Sequence, residues 1–192
     1  MDTIRNAILS SAEARVRRGG FHGFSFRDLA ADVGIKSASV HYHFPTKADL
    51  AVSLMRDYQA QMLAAFGDPE DGRTLANKLG AVRDAYGSKL SKAGICLCGI
   101  LAAEHAGLPE PVGEALIDYF AACRNWLISA FVKSGAGEPE KRALVFSSAV
   151  QGALLMAHAL GEPMLFNRVA EEAIRAQEQS GVRKASAKGQ RR

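Results

Sequence analysis

The chain has 192 residues, 48% of them hydrophobic and 23% charged, enough apolar material for a packed core in one domain or in a small domain joined to a larger one. No run approaches the ~18 consecutive apolar residues of a membrane span, and the start Met1-Asp2-Thr3-Ile4-Arg5 lacks the basic-then-apolar pattern of a signal peptide, so a cytoplasmic protein is expected. The net charge of +4 is largely a tail effect. Arg183, Lys184, Lys188, Arg191 and Arg192 face no acid after residue 180, whereas residues 1–57 are mildly basic and residues 58–179 mildly acidic.

Helical spacing dominates from the first residues, and strand signals are scarce. Ile4, Ile8, Ala12 and Val16 recur every fourth residue as one apolar stripe, and Gly19-Gly20 ends that helix. Phe21 and Phe24 follow and are placed to pack beneath it. Ser25-Phe26-Arg27-Asp28 has the form of a capping box with Asp in place of the usual Glu. It opens a short helix that carries Phe26, Leu29, Ala30 and Val33 inward and stops at Gly34. A second short helix covers residues 37–43 and closes at Phe44-Pro45, because a residue before proline avoids the helical region. Thr46-Lys47-Ala48-Asp49 is another cap-like start, opening a long helix with Leu50, Leu54, Tyr58 and Met62 on one face until Gly67-Asp68-Pro69. Five more helices are predicted at roughly 73–92, 95–106, 109–134, 138–160 and 162–179, punctuated by glycine and proline. The expected fold class is therefore all-α with nine helices. The polar stretch 180–192 is expected to be a disordered basic tail.

Two short helices joined at a glycine form a helix-turn-helix, a motif whose second helix enters the major groove of DNA. Ser37, Ala38 and Ser39 at the start of that helix are small enough to let its backbone approach base edges. Val40 and Phe44 face the core, leaving Ser37, Ser39, His41, Tyr42 and His43 outward as hydroxyl, phenol and imidazole donors to phosphate. Lys47 in the first turn of the next helix opposes the helix dipole. A phosphate at that N-terminus accounts for the choice.

The run Gly34-Ile35-Lys36-Ser37-Ala38-Ser39-Val40-His41-Tyr42-His43-Phe44-Pro45-Thr46-Lys47-Ala48-Asp49-Leu50 resembles the signature of TetR-type (tetracycline-repressor-like) regulators, and Phe26-Arg27-Asp28-Leu29-Ala30 resembles the start of that family's second helix. The resemblance covers residues 4–56. It implies that Lys36, Ser37, Ser39, Tyr42, His43, Thr46 and Lys47 meet DNA, and Ser25, Arg27 and His41 complete the candidate set. His41 stands where the family usually has a tyrosine, which puts an imidazole of variable charge near neutral pH at the interface. The resemblance further implies residues 1–46 as a DNA-binding domain and residues 47–179 as an effector-binding and dimerisation domain. The last two helices would pair with a second copy on a palindromic operator, which is released when a small molecule binds. Tyr86, Cys96, His105, Tyr119, Arg124 and Trp126 are the candidate ligand-pocket residues in this reading.

Two other readings stay open. Cys96 and Cys98 lie two apart at a predicted helix start, as packed small hydrophobes or as a thiol-based redox or electrophile sensor; Cys-x-Cys without a nearby His is no zinc site. A protein of the same fold that binds small molecules without DNA is the other. Glu104-His105 is a lone acid–base pair, and no nucleotide loop, nucleophile elbow or zinc-protease motif occurs, so neither an enzyme nor a cofactor or metal is expected.

Overall fold

The computed structural model describes residues 3–93 and 96–189, with the side chains of 91–93 and 180–189 set aside. Among the described residues the chain is all helix, without strands. The elements are α1 (Thr3–Gly19), α2 (Phe26–Val33), α3 (Ser37–His43), α4 (Lys47–Phe66), α5 (Leu75–Ala93), α6 (Leu97–Ala103), α7 (Glu110–Lys133), α8 (Pro139–Leu160) and α9 (Pro163–Gly189), with a single 3-10 turn at His105–Gly107.

The boundaries have local causes. Ser25 and Asp28 form a reciprocal capping box at the start of α2, and Gly34 closes that helix in the left-handed region at φ 74°. Thr46 and Asp49 repeat the box ahead of α4: Asp49 N–H donates to Thr46 Oγ1 at 3.1 Å, and Thr46 N–H donates to Asp49 Oδ2 at 3.0 Å. The helix predicted from residue 73 begins instead at Leu75, because Arg73 is drawn back to donate to the Phe66 carbonyl while Thr74 Oγ1 accepts from Asn77 N–H. The helix predicted over 95–106 is shorter than expected. α6 stops at Ala103, and Glu104, at φ −98° and ψ 6°, diverts the chain into the 3-10 turn. Gly94 and Ile95, where that helix was expected to start, lie outside the described residues. α9 runs on as backbone to Gly189, into the stretch whose composition suggests disorder. Arg, Lys and Ala there favour helix. Residues 190–192 of that tail lie outside the described residues.

The chain divides into two compact units, residues 1–60 with 95–120 and residues 61–94 with 121–192. In the first, Ile8, Ala12, Val16, Phe21, Phe24, Leu29, Val40, Phe44, Leu50 and Leu54 make the core on which α2 and α3 stand, and α6 packs on α1. In the second, α8 and α9 pack along each other and α5 packs on both. Arg142, buried, ties α8 to α9 by donating to the Gln177 carbonyl at 2.9 Å and its side-chain oxygen at 3.1 Å. α7 and α8 reach the length and mean hydropathy of a membrane-crossing helix. Both lack a continuous apolar run: Asp118 and Arg124 interrupt α7, and Ser147, Ser148, Gln151 and His158 interrupt α8.

Candidate nucleic-acid interface

α3 is only seven residues long, too short to be stable alone, so its geometry is imposed by what it buries. Val40 (0% exposed) and Phe44 (2%) anchor it, and the Phe44 N–H donates to the Val40 carbonyl to close its last turn. Packing of these two residues fixes the opposite face. Lys36, His41 and Tyr42 are exposed, and Ser37, Ser39 and His43 half-buried. Tyr42 is 84% exposed, the most open of the large apolar or aromatic side chains among the described residues, with its ring edge-on to His43 at 5.3 Å. Exposing so much aromatic surface is unfavourable unless a partner covers it. His41 is held from behind by an edge-on contact with Phe26 at 4.7 Å. The outer face therefore combines a cation, two hydroxyls, two imidazoles and a phenol, without a carboxylate.

The four residues expected at the flanks have more specific positions. The hydroxyls of Ser25 and Thr46 each donate to the carboxylate three residues on, at 2.7 Å in both cases, so each already serves a helix cap. Arg27 is exposed at the first turn of α2. Lys47 folds inward. Its Nζ donates to the Phe24 carbonyl at 2.5 Å and lies 4.2 Å from the Phe24 ring centroid and 4.9 Å from that of Phe21. This partial burial pulls its pKa down from the usual lysine value, with Asp28 and Glu104 opposing.

The scaffold behind this face is tied by ion pairs. Asp32 on α2 accepts from Arg15 at 2.6 and 2.8 Å and from Ser11 at 2.5 Å, both on α1. The Arg15 and Ser11 hydrogen bonds hold the Asp32 carboxyl far below the ordinary carboxylate range. Glu104, after α6, accepts from the Phe21 N–H at 2.7 Å, and its carboxylate lies where a side chain on Gly20, at φ 69°, would go. A glycine is thus required there for both space and backbone angle.

Residues 8–54 match the family model for bacterial regulatory proteins of the tetR family. A TetR-family transcriptional regulator from Agrobacterium tumefaciens is 27% identical, with 91% of this chain and 97% of that one aligned at a TM-score of 0.83. Its helix-turn-helix region is thus that of the tetR family, and TetR-family structures share its fold over about nine-tenths of the chain. A TetR transcriptional regulator from Legionella pneumophila is 26% identical over 92% of this chain and 98% of its own, at a TM-score of 0.85. No curated protein sequence matches the chain. The family match over residues 8–54 and the shared fold support a DNA-binding helix-turn-helix regulator.

The pocket candidates divide between the two units. Cys96, His105 and Tyr119 belong to the first unit, and Tyr86, Arg124 and Trp126 to the second. Cys96, Tyr119, Tyr86 and Trp126 are buried, whereas His105 and Arg124 are exposed. Trp126 Nε1 donates to the Gly67 carbonyl at 2.6 Å, and Tyr86 reaches Cys123 Sγ at 4.0 Å. Two surface grooves of the second unit, about 550 and 680 Å³, are lined by other residues: Arg73, Asn77, Arg83 and Glu171 in one, Asp71, Thr74, Lys78 and Lys133 in the other. Sequence reasoning missed Arg17 and Glu104 as working residues. A charged side chain directly after the stripe residue Val16 was the available signal for Arg17, and nothing local marks Glu104.

Proposed function

We propose that this chain is a homodimeric repressor that holds a palindromic operator through α3 and releases it when a small molecule binds among the helices after residue 47. The observation that carries the DNA-binding face is the Lys36–His43 surface of α3, aimed outward by Val40 and Phe44 and topped by the 84% exposed Tyr42. In this reading Ser37 and Ser39 meet base edges, and Tyr42 and His43 meet phosphates. Lys47 trades the Phe24 carbonyl for a phosphate when DNA arrives. Ser25 and Thr46 contribute through the helix N-termini that they cap.

The dimer is supported by a second surface. Leu144, Val145, Leu155, Met156 and Leu160 on α8, and Met164 and Val169 on α9, are exposed to between 37% and 68%. Ser148 and Gly152 lie between them in the α8 stripe, where small side chains permit close helix approach. A patch of this kind on an isolated chain marks an interface, and self-pairing about a two-fold axis covers it on both copies. Two recognition helices then read half-sites about one DNA turn apart, ~34–36 Å. A cytoplasmic site of action, where the DNA is, belongs to the same proposal. No catalysis is assigned to Glu104 and His105, because Glu104 is committed to the Phe21 N–H.

The deciding measurement is fluorescence anisotropy with a duplex from the DNA flanking the gene, beside an unrelated duplex, at low and physiological salt. Tight binding that prefers the flanking duplex and weakens steeply with salt is expected. Absence of binding at low salt overturns the reading and leaves a protein of this fold that senses small molecules without DNA.

A further inference from the structure

A buried polar chain runs through the first unit from α1 to the start of α6. Arg17 on α1 has a side chain only 2% exposed, with Nη2 2.7 Å from Glu13 Oε1. Its guanidinium carbon lies 5.5 Å from the ring centroid of Tyr58 on α4, and it also hydrogen-bonds that tyrosine. Tyr58, 1% exposed, donates its hydroxyl to Cys96 Sγ at 3.6 Å. Cys98 hydrogen-bonds the same sulfur. A thiol that merely fills space needs no such company, since cysteine packs as a small hydrophobe. Two hydrogen-bond donors on one sulfur, with a guanidinium behind them, suit a thiolate. The Cys98 bond is the largest influence and, with the Tyr58 bond, draws the Cys96 pKa below that of an ordinary thiol although burial opposes it. Burial, and then the sulfur charge, push Tyr58 the other way, so the phenol keeps the proton that it donates.

We propose that Cys96 and Cys98 form a dithiol that a small hydroperoxide oxidises to a disulfide, releasing Tyr58 and, through Arg17, loosening α1 beneath the DNA-binding face. The regulatory half rests on the DNA-binding reading above; the thiol chemistry does not. Both cysteines are buried to 1% exposure or less, which selects a reagent as small as hydrogen peroxide over a bulky electrophile. The Cys96 thiolate attacks one peroxide oxygen, the O–O bond breaks, and the departing hydroxide takes a proton to become water. The Cys98 thiol then attacks the sulfenic sulfur, the S–O bond breaks, and a second water leaves with the Cys98 proton. The peroxide gains two electrons and the two thiols lose them. Residues two apart within a helix do not face each other, but Cys96 precedes α6 with extended backbone, φ −60° and ψ 128°, and so turns its sulfur toward Cys98. A disulfide leaves no thiolate for Tyr58 to donate to.

The test treats the full-length reduced protein with hydrogen peroxide. Trypsin with a glutamate-specific protease separates residues 93–104 from Cys123, and the fragments are weighed. The 93–104 fragment is expected to lose about 2 Da, one hydrogen from each thiol, and to regain it with dithiothreitol. Cys98→Ser should stop at a sulfenic acid, a gain of about 16 Da on the same fragment. Tyr58→Phe, which retains the ring, should slow the reaction about tenfold while leaving the circular dichroism unchanged, as loss of one charge-stabilising hydrogen bond predicts. Affinity for the gene-flanking duplex should fall about tenfold on oxidation, within the usual range of coupling between sites. An unchanged mass, a disulfide to Cys123, or an undiminished rate in Tyr58→Phe overturns the proposal. Tight DNA binding unaltered by oxidation overturns it alone. A reduced protein that oxidises as described but binds no DNA overturns its regulatory half together with the DNA-binding reading.

Discussion

α3 and α8 both present side chains to solvent that a self-sufficient domain would hide, and they do so with opposite chemistry. The outer face of α3 is hydroxyls, imidazoles, a lysine and an open phenol, whereas that of α8 is Leu144, Val145, Leu155, Met156 and Leu160. A polar, acid-free face loses little in water and gains most against a polyanion. An apolar stripe is unfavourable in water and gains most against a copy of itself. Helix exposure alone therefore says that a partner is needed, and the chemistry of the exposed face says which kind.

Breaking the α8 face gives the largest expected effect. Leu155→Glu with Met156→Glu should reduce the mass measured by light scattering to that of a single 20.5 kDa chain. It should also weaken operator binding by about 100-fold or more, the usual loss when two linked half-sites become independent. A variant that remains dimeric with full affinity places the interface elsewhere. Next in size is Phe44→Ala, which removes the fully buried anchor of α3. It should cost about 3–5 kcal/mol of stability in denaturant titration. A much smaller loss would mean that α3 is held by something other than its buried face.

Lys47→Met keeps the stem against Phe21 and Phe24 and removes the charge. If Lys47 exchanges its carbonyl for a phosphate, binding should weaken on every sequence alike, and the salt dependence should lose about one ion from its logarithmic slope. An unchanged slope confines Lys47 to holding the Phe24 loop. Ser25→Ala separates capping from contact. It should cost about 1 kcal/mol of stability through the lost cap, with operator affinity held. Lower affinity at full stability would return Ser25 to the interface.

The smallest effect concerns acid. Asp32 has a folded pKa below its ordinary 3.8 because of Arg15 and Ser11. Its contribution is complete above pH 3.8 and is lost as the pH falls below that value toward the folded pKa. Thermal melts should show Asp32→Asn less sensitive than the parent chain to acidification in that range. Parallel curves would show that the pair contributes nothing measurable, as many exposed pairs do.

Much of this was legible in the order of residues. Gly34, the Ser25 and Thr46 caps, and Phe44-Pro45 set the helix-turn-helix within a residue or two, because caps and breakers act over a few neighbours. The outward face of α3 followed from Val40 and Phe44, four apart. What did not follow were contacts between residues distant in sequence. Glu104 grips Phe21 across 83 positions, which is also why α6 ends early. Lys47 reaches back 23 positions to Phe24, so a side chain expected to point at DNA is folded inward in the free chain. Tyr58 read as one more apolar position on α4, and only the fold brings its hydroxyl to Cys96. The pocket candidates were read helix by helix, as polar handles on apolar faces. Shared burial depends on packing that no single helix specifies.

The sole tryptophan adds a practical consequence. Trp126 is 7% exposed, with its ring edge-on to Phe66 at 5.2 Å and its indole N–H on the Gly67 carbonyl at the end of α4. Indole emission therefore comes from one place, and its wavelength and lifetime depend on that single hydrogen bond and on exclusion of water. Any compound that displaces the end of α4 will shift this intrinsic fluorescence, so effectors can be screened optically on the unlabelled chain before an operator is known.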